Sequence, residues 1–131
     1  MIDIESAVFG KVATEIRSKY KAAVSGEEVD RPASFPAVTI VEKSNTVHLA
    51  SRTNVENAAN VMFEVSVYTN SVGYKKSEAK AIMATVDDVF SELGFTRIMC
   101  NPVTNLQEAT IYRIVARYEA VVDKDFWIYK N

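Results

Sequence analysis

Few residues of this chain are of a type that performs catalysis, and none of them has a suitably spaced partner. His48 is the only histidine and Cys100 the only cysteine, which excludes a disulfide within the chain and a zinc site built on thiolates. Asp87 and Asp88 are adjacent on a predicted helix, where their side chains diverge by about 100° and cannot face each other as an acid/base pair. We therefore predict no catalytic, cofactor-binding or metal-binding residues. His48 is expected at the surface, Cys100 as a buried or half-buried thiol, and the aspartates on a solvated helix face.

The charged residues indicate contacts with other molecules more than catalysis. Two lysines open a predicted helix, where cations oppose the helix dipole, so they either meet an acidic partner or a nucleic-acid backbone or simply face solvent. Two arginines and a glutamate share one face of a predicted strand, with the arginines spaced for ion pairs across strands or between subunits. A polar segment at 43–60 contributes two further candidates, one histidine and one arginine. The candidate interface residues are thus Lys75, Lys76, Arg113, Arg117, Glu119, His48 and Arg52.

The composition is that of an ordered globular chain. Its 131 residues suit one domain, 1–131, and 48% of them are hydrophobic. The formal net charge of −2 argues against non-specific binding of nucleic acid, which requires a basic face. The N-terminus does not resemble a signal peptide, and no apolar run is long enough to span a bilayer, so we expect a soluble protein made in a reducing cytoplasm. The chain has 27 Val and Ile residues but only three Leu, which favours a core built largely on a sheet.

Two stretches have the periodicity of amphipathic helices. Apolar residues recur every four positions within 3–23, and three-and-four spacing runs through 74–93. Gly94 follows the second stretch, where a glycine after a helix C-terminus is expected. The polar residues at 24–34 predict a connector between the first helix and the first strand.

Four further segments have the signature of strands: 35–42, 61–69, 95–100 and 109–122, of which the last is the longest. Asn101 and Pro102 are expected to end the third strand. The segment 43–60 is either a long loop or a weak hairpin. The face of the last strand that carries Arg113, Arg117 and Glu119 also carries β-branched residues, a mixture that often meets another subunit. For the aromatic residues at 126–129 there are two interpretations, an anchor for a membrane or a partner and a segment that packs over an open edge of the core or extends the sheet, and we favour the second.

The order α-β-β-α-β-β predicts an α+β fold. Helices with a single apolar stripe must bury that stripe, so we expect two helices packed on one face of a largely antiparallel four-stranded sheet.

Four segments, in this order, resemble the tail terminator (tail completion, head–tail joining) proteins of long-tailed bacteriophages and prophages. They are FPAVTI at 35–40, VMFEVSVYTN at 61–70, VDDVFSELGFTR at 86–97 and ATIYRIVARYEAVV at 109–122. The length of the chain and the order of its elements agree with this family as well.

The resemblance implies a structural role without enzymatic activity or cofactor. Members of this family form a ring, typically a hexamer, at the head-proximal end of the tail tube, where the ring ends tube polymerisation and presents a surface to the head–neck connector. The implied partners are further copies of the chain, the tail tube protein and a neck or head-completion protein. DNA would pass through the lumen without specific binding, and no membrane is involved. The implied location is the tail–neck junction of the virion, after assembly in the cytoplasm of a bacterial host.

Two other functions remain open from the residues. One is a different neck or head-completion protein. The other is an α+β domain that binds a small ligand between sheet and helices, for which Glu64 and Tyr112 are the only inward polar candidates. A nucleic-acid binder that uses Tyr68, Lys75 and Lys76 lacks the basic surface that such binding requires.

Overall fold

The predicted α+β architecture is confirmed, with two short strands added to the sheet. The computed structural model describes residues 1–29, 32–47, 58–104, 109–126 and 128–129. Within these residues there are two helices and six strands: α1 (Glu5–Lys19), β1 (Ala23–Ser25), β2 (Ala37–Val47), β3 (Ala58–Thr69), α2 (Lys75–Leu93), β4 (Thr96–Val103), β5 (Tyr112–Asp123) and β6 (Ile128–Tyr129).

The described strands form one mixed, mostly antiparallel sheet in the order β1-β2-β3-β5-β4, with β6 paired to the end of β5. Only the β1–β2 pair is parallel. The centre of the sheet is the pair β3–β5, whose twelve residues are in register from Ala58 opposite Asp123 to Thr69 opposite Tyr112. Both strands therefore present two complete faces, and the helices cover one of them.

The core lies between the sheet and the helices. The even-numbered residues of β5 and the odd-numbered residues of β3 point into it, as period two requires, and meet the apolar stripes of α1 and α2. An aromatic cluster occupies its centre. The Phe90 ring stacks on Tyr118 with ring centroids 4.3 Å apart, and Phe63 and Phe95 approach Phe90 at 5.9 and 5.2 Å.

The end of α2 follows the predicted glycine signal. Gly94 adopts φ 95°, in the left-handed region, and the amide of Phe95 donates to the carbonyl of Phe90 at 2.9 Å. A Cβ at Gly94 would lie 3.0 Å from Cγ2 of Ile128, so the glycine also allows β6 to approach the helix end.

Several predicted boundaries are wrong. The first helix ends at Lys19 and not near residue 23, because residues 23–25 instead pair with β2. Asn101 and Pro102 do not end β4, which continues to Val103 with Pro102 opposite Ile114. No described strand lies on the outer side of β4, and proline is tolerated on such an edge strand.

The segment 43–60 is not a loop over the residues that the structure describes. Residues 43–47 extend β2 and residues 58–60 extend β3, with Val47 opposite Ala59. These two strands form the arms of a hairpin, while residues 48–57 lie outside the described residues. At the C-terminus, Ile128 and Tyr129 pair with Val122 and Val121, so this segment extends the sheet. The last predicted strand starts later than expected, at Tyr112, and equals β3 in length.

Candidate assembly surfaces

The face of the sheet that the helices leave uncovered, here called the open sheet face, carries the predicted mixture of charged and β-branched residues. Along β3 it presents Glu64, Ser66 and Tyr68, which lie opposite Arg117, Val115 and Arg113 of β5. Val115 is 5% exposed and Ser66 is 2% exposed, although no described helix lies over them. The charged side chains around them therefore form a packed layer.

Arg117 has a partner within the chain. Its Nε donates to Oε2 of Glu64 at 2.9 Å, directly across the β3–β5 pair. The Glu64 side chain is only 10% exposed, whereas Arg117 is 44% exposed. The cross-strand alternative predicted for this arginine is thus the one observed, and its exposed part faces away from the sheet. A pairing of Arg117 with a neighbouring subunit stays a prediction.

Arg113 is held at the other end of the open sheet face. Its Nη2 donates to Oγ of Ser66 at 3.2 Å, and its guanidinium carbon lies 5.3 Å from the centroid of the Tyr68 ring. The hydroxyl of Tyr68 donates to the carbonyl of Val29 at 3.2 Å. Nε of Arg113 is buried without a hydrogen-bond partner among the described residues. Tyr68 belongs to a small apolar cluster that closes this end of the face. Arg113 is therefore fixed in place.

Glu119 is the exposed acidic residue of the open sheet face. It lies opposite Met62 on β3 and Thr96 on β4, and it lines a depression of about 280 Å³ together with residues of β2, β3 and β5. Within the described part of the chain its side chain forms no hydrogen bond or ion pair. Glu119 and Arg113 are six positions apart along β5, a distance of about 20 Å at the rise of a strand. The two residues therefore lie towards opposite ends of the face.

The lysines at the start of α2 lie at the same end of the fold as Arg113. Nζ of Lys75 donates to the carbonyl of Thr110, just before β5, at 3.2 Å. Lys76 is exposed and, with Lys75 and Lys80, borders a depression of about 550 Å³. The first turn of α2 has no side-chain cap.

Sequence reasoning missed the apolar part of this surface. Val72 is 95% exposed and Tyr74 is 59% exposed, directly before the lysines. The sequence places Tyr74 at the start of the helical stretch 74–93, and that position carries no signal of exposure. His48 and Arg52, the remaining two predicted interface residues, lie outside the described residues.

The ionisable groups on the other side of the sheet form a structural network. The buried phenol of Tyr118 donates to Oδ1 of Asp87 at 3.0 Å, and Nη1 of Arg97 lies 3.3 Å from the same oxygen. Burial, assisted by the Asp87 charge, raises the pKa of Tyr118 far above its usual range. The prediction that both aspartates face solvent is therefore wrong for Asp87, which is half-buried and bonded to the core, while Asp88 is exposed.

Cys100 is half-buried in β4 and packs against the core, as predicted. Burial raises the pKa of its thiol, which keeps the sulfur protonated and weakly nucleophilic. Among the described residues, no three His, Cys, Asp or Glu side chains are grouped so that they could hold a metal ion. Neither described helix is both long and apolar enough to cross a membrane. Glu64, predicted as an inward polar group of a ligand pocket, lies on the open sheet face.

Comparison with known proteins supports the fold. No protein-family model matches the sequence, and no curated protein is similar to it. Among solved structures, a chain in the virion of native gene transfer agent (GTA) particle superimposes with a TM-score of 0.62 and 19% sequence identity, over 94% of this chain and 99% of that chain. The bacteriophage SPP1 gp17 protein gives a TM-score of 0.42 and 16% identity, over 88% and 91% of the two chains, a similarity too weak to carry an argument. From end to end, the chain therefore has the fold of a chain in the native gene transfer agent virion.

Proposed function

We propose that this chain is a non-enzymatic structural protein of a phage or phage-like particle. In this proposal it forms a ring, a hexamer by analogy with tail terminators, at the head-proximal end of the tail tube. The ring ends tube polymerisation and offers the surface to which the neck attaches. The observation that carries the proposal is the end-to-end similarity of fold to a chain in a gene transfer agent virion. The four segments that resemble tail terminator proteins support it independently.

A closed ring requires two different contact patches on each copy, related by rotation. The open sheet face around Arg117 and Glu119 is one suitable patch, because it combines exposed charge with a rigid sheet. The exposed surface at the start of α2, with Tyr74 and Lys76, is the second. These patches are built from different elements, so a head-to-tail contact between neighbouring copies is the arrangement that we propose.

The ring serves as a conduit, and its charge suits that role. A net charge of −2 for each copy gives DNA no overall attraction to the lumen. The proposed partners are further copies of the chain, the tail tube protein and a neck or head-completion protein. The proposed location is the tail–neck junction of the virion.

Electron microscopy of a lysate from the parent particle with this gene deleted tests the proposal. Overlong tubes without attached heads are the expected result. Tails of normal length beside empty or leaking heads would move the chain to the head side of the neck. Intact, infectious particles would contradict a structural role.

Complementation of the deletion with variants distinguishes loss of a contact patch from loss of the fold. We expect Glu119→Lys, which changes the exposed charge of the open sheet face, to restore fewer particles than the natural sequence. Lys11→Glu reverses an exposed charge on α1, away from both patches, and serves as the matched control. Equal recovery with the two variants would exclude the open sheet face as a contact.

A further inference from the structure

The outward face of α2 carries a symmetric pattern of charge. Lys76, Lys80, Ala84, Asp88 and Glu92 follow one another at intervals of four residues, and all five are exposed. Residues at this interval form a single ridge on a helix. The ridge is therefore basic in its first half and acidic in its second half, with an alanine at the centre.

This pattern does not stabilise the helix that carries it. Lysines near the N-terminus and carboxylates near the C-terminus both oppose the helix dipole, and like charges four residues apart repel each other. Glu78 in the first turn is a favourable exception, and the last turn has no basic residue. Within the described part of the chain, the side chains of the four charged ridge residues form no hydrogen bond or ion pair. The charge pattern of the ridge therefore does not stabilise the isolated chain.

The same pattern is complementary to itself when a second helix runs antiparallel. Lys80 and Asp88 each lie four residues from Ala84, and Lys76 and Glu92 each lie eight residues from it. A two-fold axis through Ala84 places every lysine of one copy opposite a carboxylate of the other. It also sets the N-terminus of each α2 beside the C-terminal half of the α2 of the other copy. The two helix dipoles are then antiparallel, which is a favourable arrangement.

The surroundings of Ala84 allow close approach. Ala81, one turn earlier, is exposed as well, and small side chains at a crossing point let two helices come together. Beside Ala84 lies a groove of about 380 Å³ between α2 and β4, with Met83, Pro102 and Ile114 in its lining. The groove adds apolar surface next to the central charges.

We propose that two copies of the free chain associate through α2, antiparallel and about a two-fold axis at Ala84. The central pairs, Lys80 with Asp88 of the second copy, carry most of the complementarity, because helices that cross through such ridges diverge towards their ends. This contact goes beyond the proposed function and does not depend on it. All copies in a single ring face the same way, and Lys76 also belongs to the second proposed ring patch, so the two-fold contact joins free chains and must open before they enter the ring.

Sedimentation of the full chain across a range of concentrations tests the contact. We expect a dimer of the natural sequence that weakens as salt is added. Lys80→Glu places two acidic residues opposite each other, and Asp88→Lys places two lysines opposite each other. Each variant alone should weaken association by about tenfold or more.

Mixing the two variants provides the decisive measurement. In a mixed dimer, Glu at 80 of one copy faces Lys at 88 of the other, and the natural pair of Asp88 with Lys80 is kept on the second side. Association of the mixture should therefore return to near the natural level. Lys11→Glu on α1 is the control and should leave association unchanged.

Other outcomes overturn the proposal. A natural chain that stays monomeric at all concentrations, or a dimer that the two variants do not weaken, excludes this surface. A mixture that remains as weak as the single variants does the same. Loss of association through misfolding is recognised by circular dichroism, because both substitutions lie on an exposed helix face and should leave the helical signal unchanged.

Discussion

The two faces of the β3–β5 pair are made by the same strands but are stabilised by different interactions. On the helix-covered face, Phe63 and Tyr118 lie opposite each other and join an apolar, aromatic cluster. On the open sheet face, one residue further along, Glu64 lies opposite Arg117 and the two form an ion pair. The pair keeps a nearly buried carboxylate satisfied without a covering layer.

The difference shows which face stabilises the fold and which is available for contact. Removal of aromatic surface from water is worth far more than an ion pair that remains half-exposed. We therefore expect truncation of the aromatic cluster on the covered face to destabilise the chain strongly and substitutions on the open face to leave it folded.

Phe90→Ala should have the largest effect. This ring is fully buried, stacks on Tyr118 and meets Phe63 and Phe95, so its removal leaves a cavity between α2 and the β3–β5 pair. We expect the free energy of unfolding to fall by about 4 kcal/mol, measured by urea denaturation. Glu119→Ala on the open sheet face is the control, with an expected change below about 0.5 kcal/mol. Equal losses would contradict the contrast between the faces.

Tyr118→Phe keeps the ring and removes the hydrogen bond to Asp87. We expect a loss of about 1.5 kcal/mol at neutral pH, since the acceptor is a charged carboxylate that also contacts Arg97. The raised pKa of Tyr118 means that the folded chain holds this proton more tightly than the unfolded chain does. The contribution is therefore complete below pH 10, the ordinary value, and is lost as the pH rises beyond it.

Thermal unfolding of both proteins as a function of pH measures this effect. The advantage of the natural sequence over Tyr118→Phe should shrink above pH 10. An advantage that grows there would mean that the phenol is not protected in the folded state.

The ion pair of the open sheet face should couple weakly. A double-mutant cycle with Glu64→Gln and Arg117→Met should give about 0.5 to 1 kcal/mol, because Arg117 is 44% exposed and its charge is screened by solvent. Added salt should reduce this coupling. A coupling energy above about 3 kcal/mol, independent of salt, would show that the open face contributes to stability as much as the core does.

Glu42→Gln should have the smallest effect, in the stabilising direction. Glu42 lies opposite Phe63, on the helix-covered side of β2, and its Oε2 is buried without a partner among the described residues. Burial raises the pKa of this carboxyl, and Glu5 and Asp3 nearby raise it further, while a hydrogen bond from Asn45 acts against them. The carboxylate form therefore costs stability at neutral pH.

We expect Glu42→Gln to add a few tenths of a kcal/mol at pH 7. The gain should vanish as the pH falls below 4.5, where the natural carboxyl is protonated in both states. A loss of stability at pH 7 would mean that the charged form makes a favourable contact. Urea denaturation at the two pH values distinguishes these outcomes.

The sequence predicts what local periodicity encodes. The alternation from Val61 to Val67 identifies β3 and both of its faces. Gly94 marks the end of α2 because the chain takes a left-handed conformation there, which glycine adopts readily. Strand β1 could not be predicted, since three residues carry no period and its pairing partner, β2, is distant in sequence.

Side-chain partners that are far apart in the chain likewise cannot be identified from the sequence. The position of Arg117 on a strand predicts a charge pair, but Glu64 is 53 residues away and only the β3–β5 register identifies it. Asp87 has the pattern of a solvated helix residue, yet a tyrosine 31 positions later reaches it through the core. Pro102 predicts a break that an edge strand does not require.

A measurement of tube length tests whether this chain ends the growth of a tail tube. The purified tail tube protein from the same particle is polymerised with and without the chain, and tube lengths are measured by electron microscopy. We predict shorter tubes with the chain visible at one end, at amounts well below one copy for each tube subunit. An unchanged distribution of lengths, with no chain at the tube ends, would contradict it.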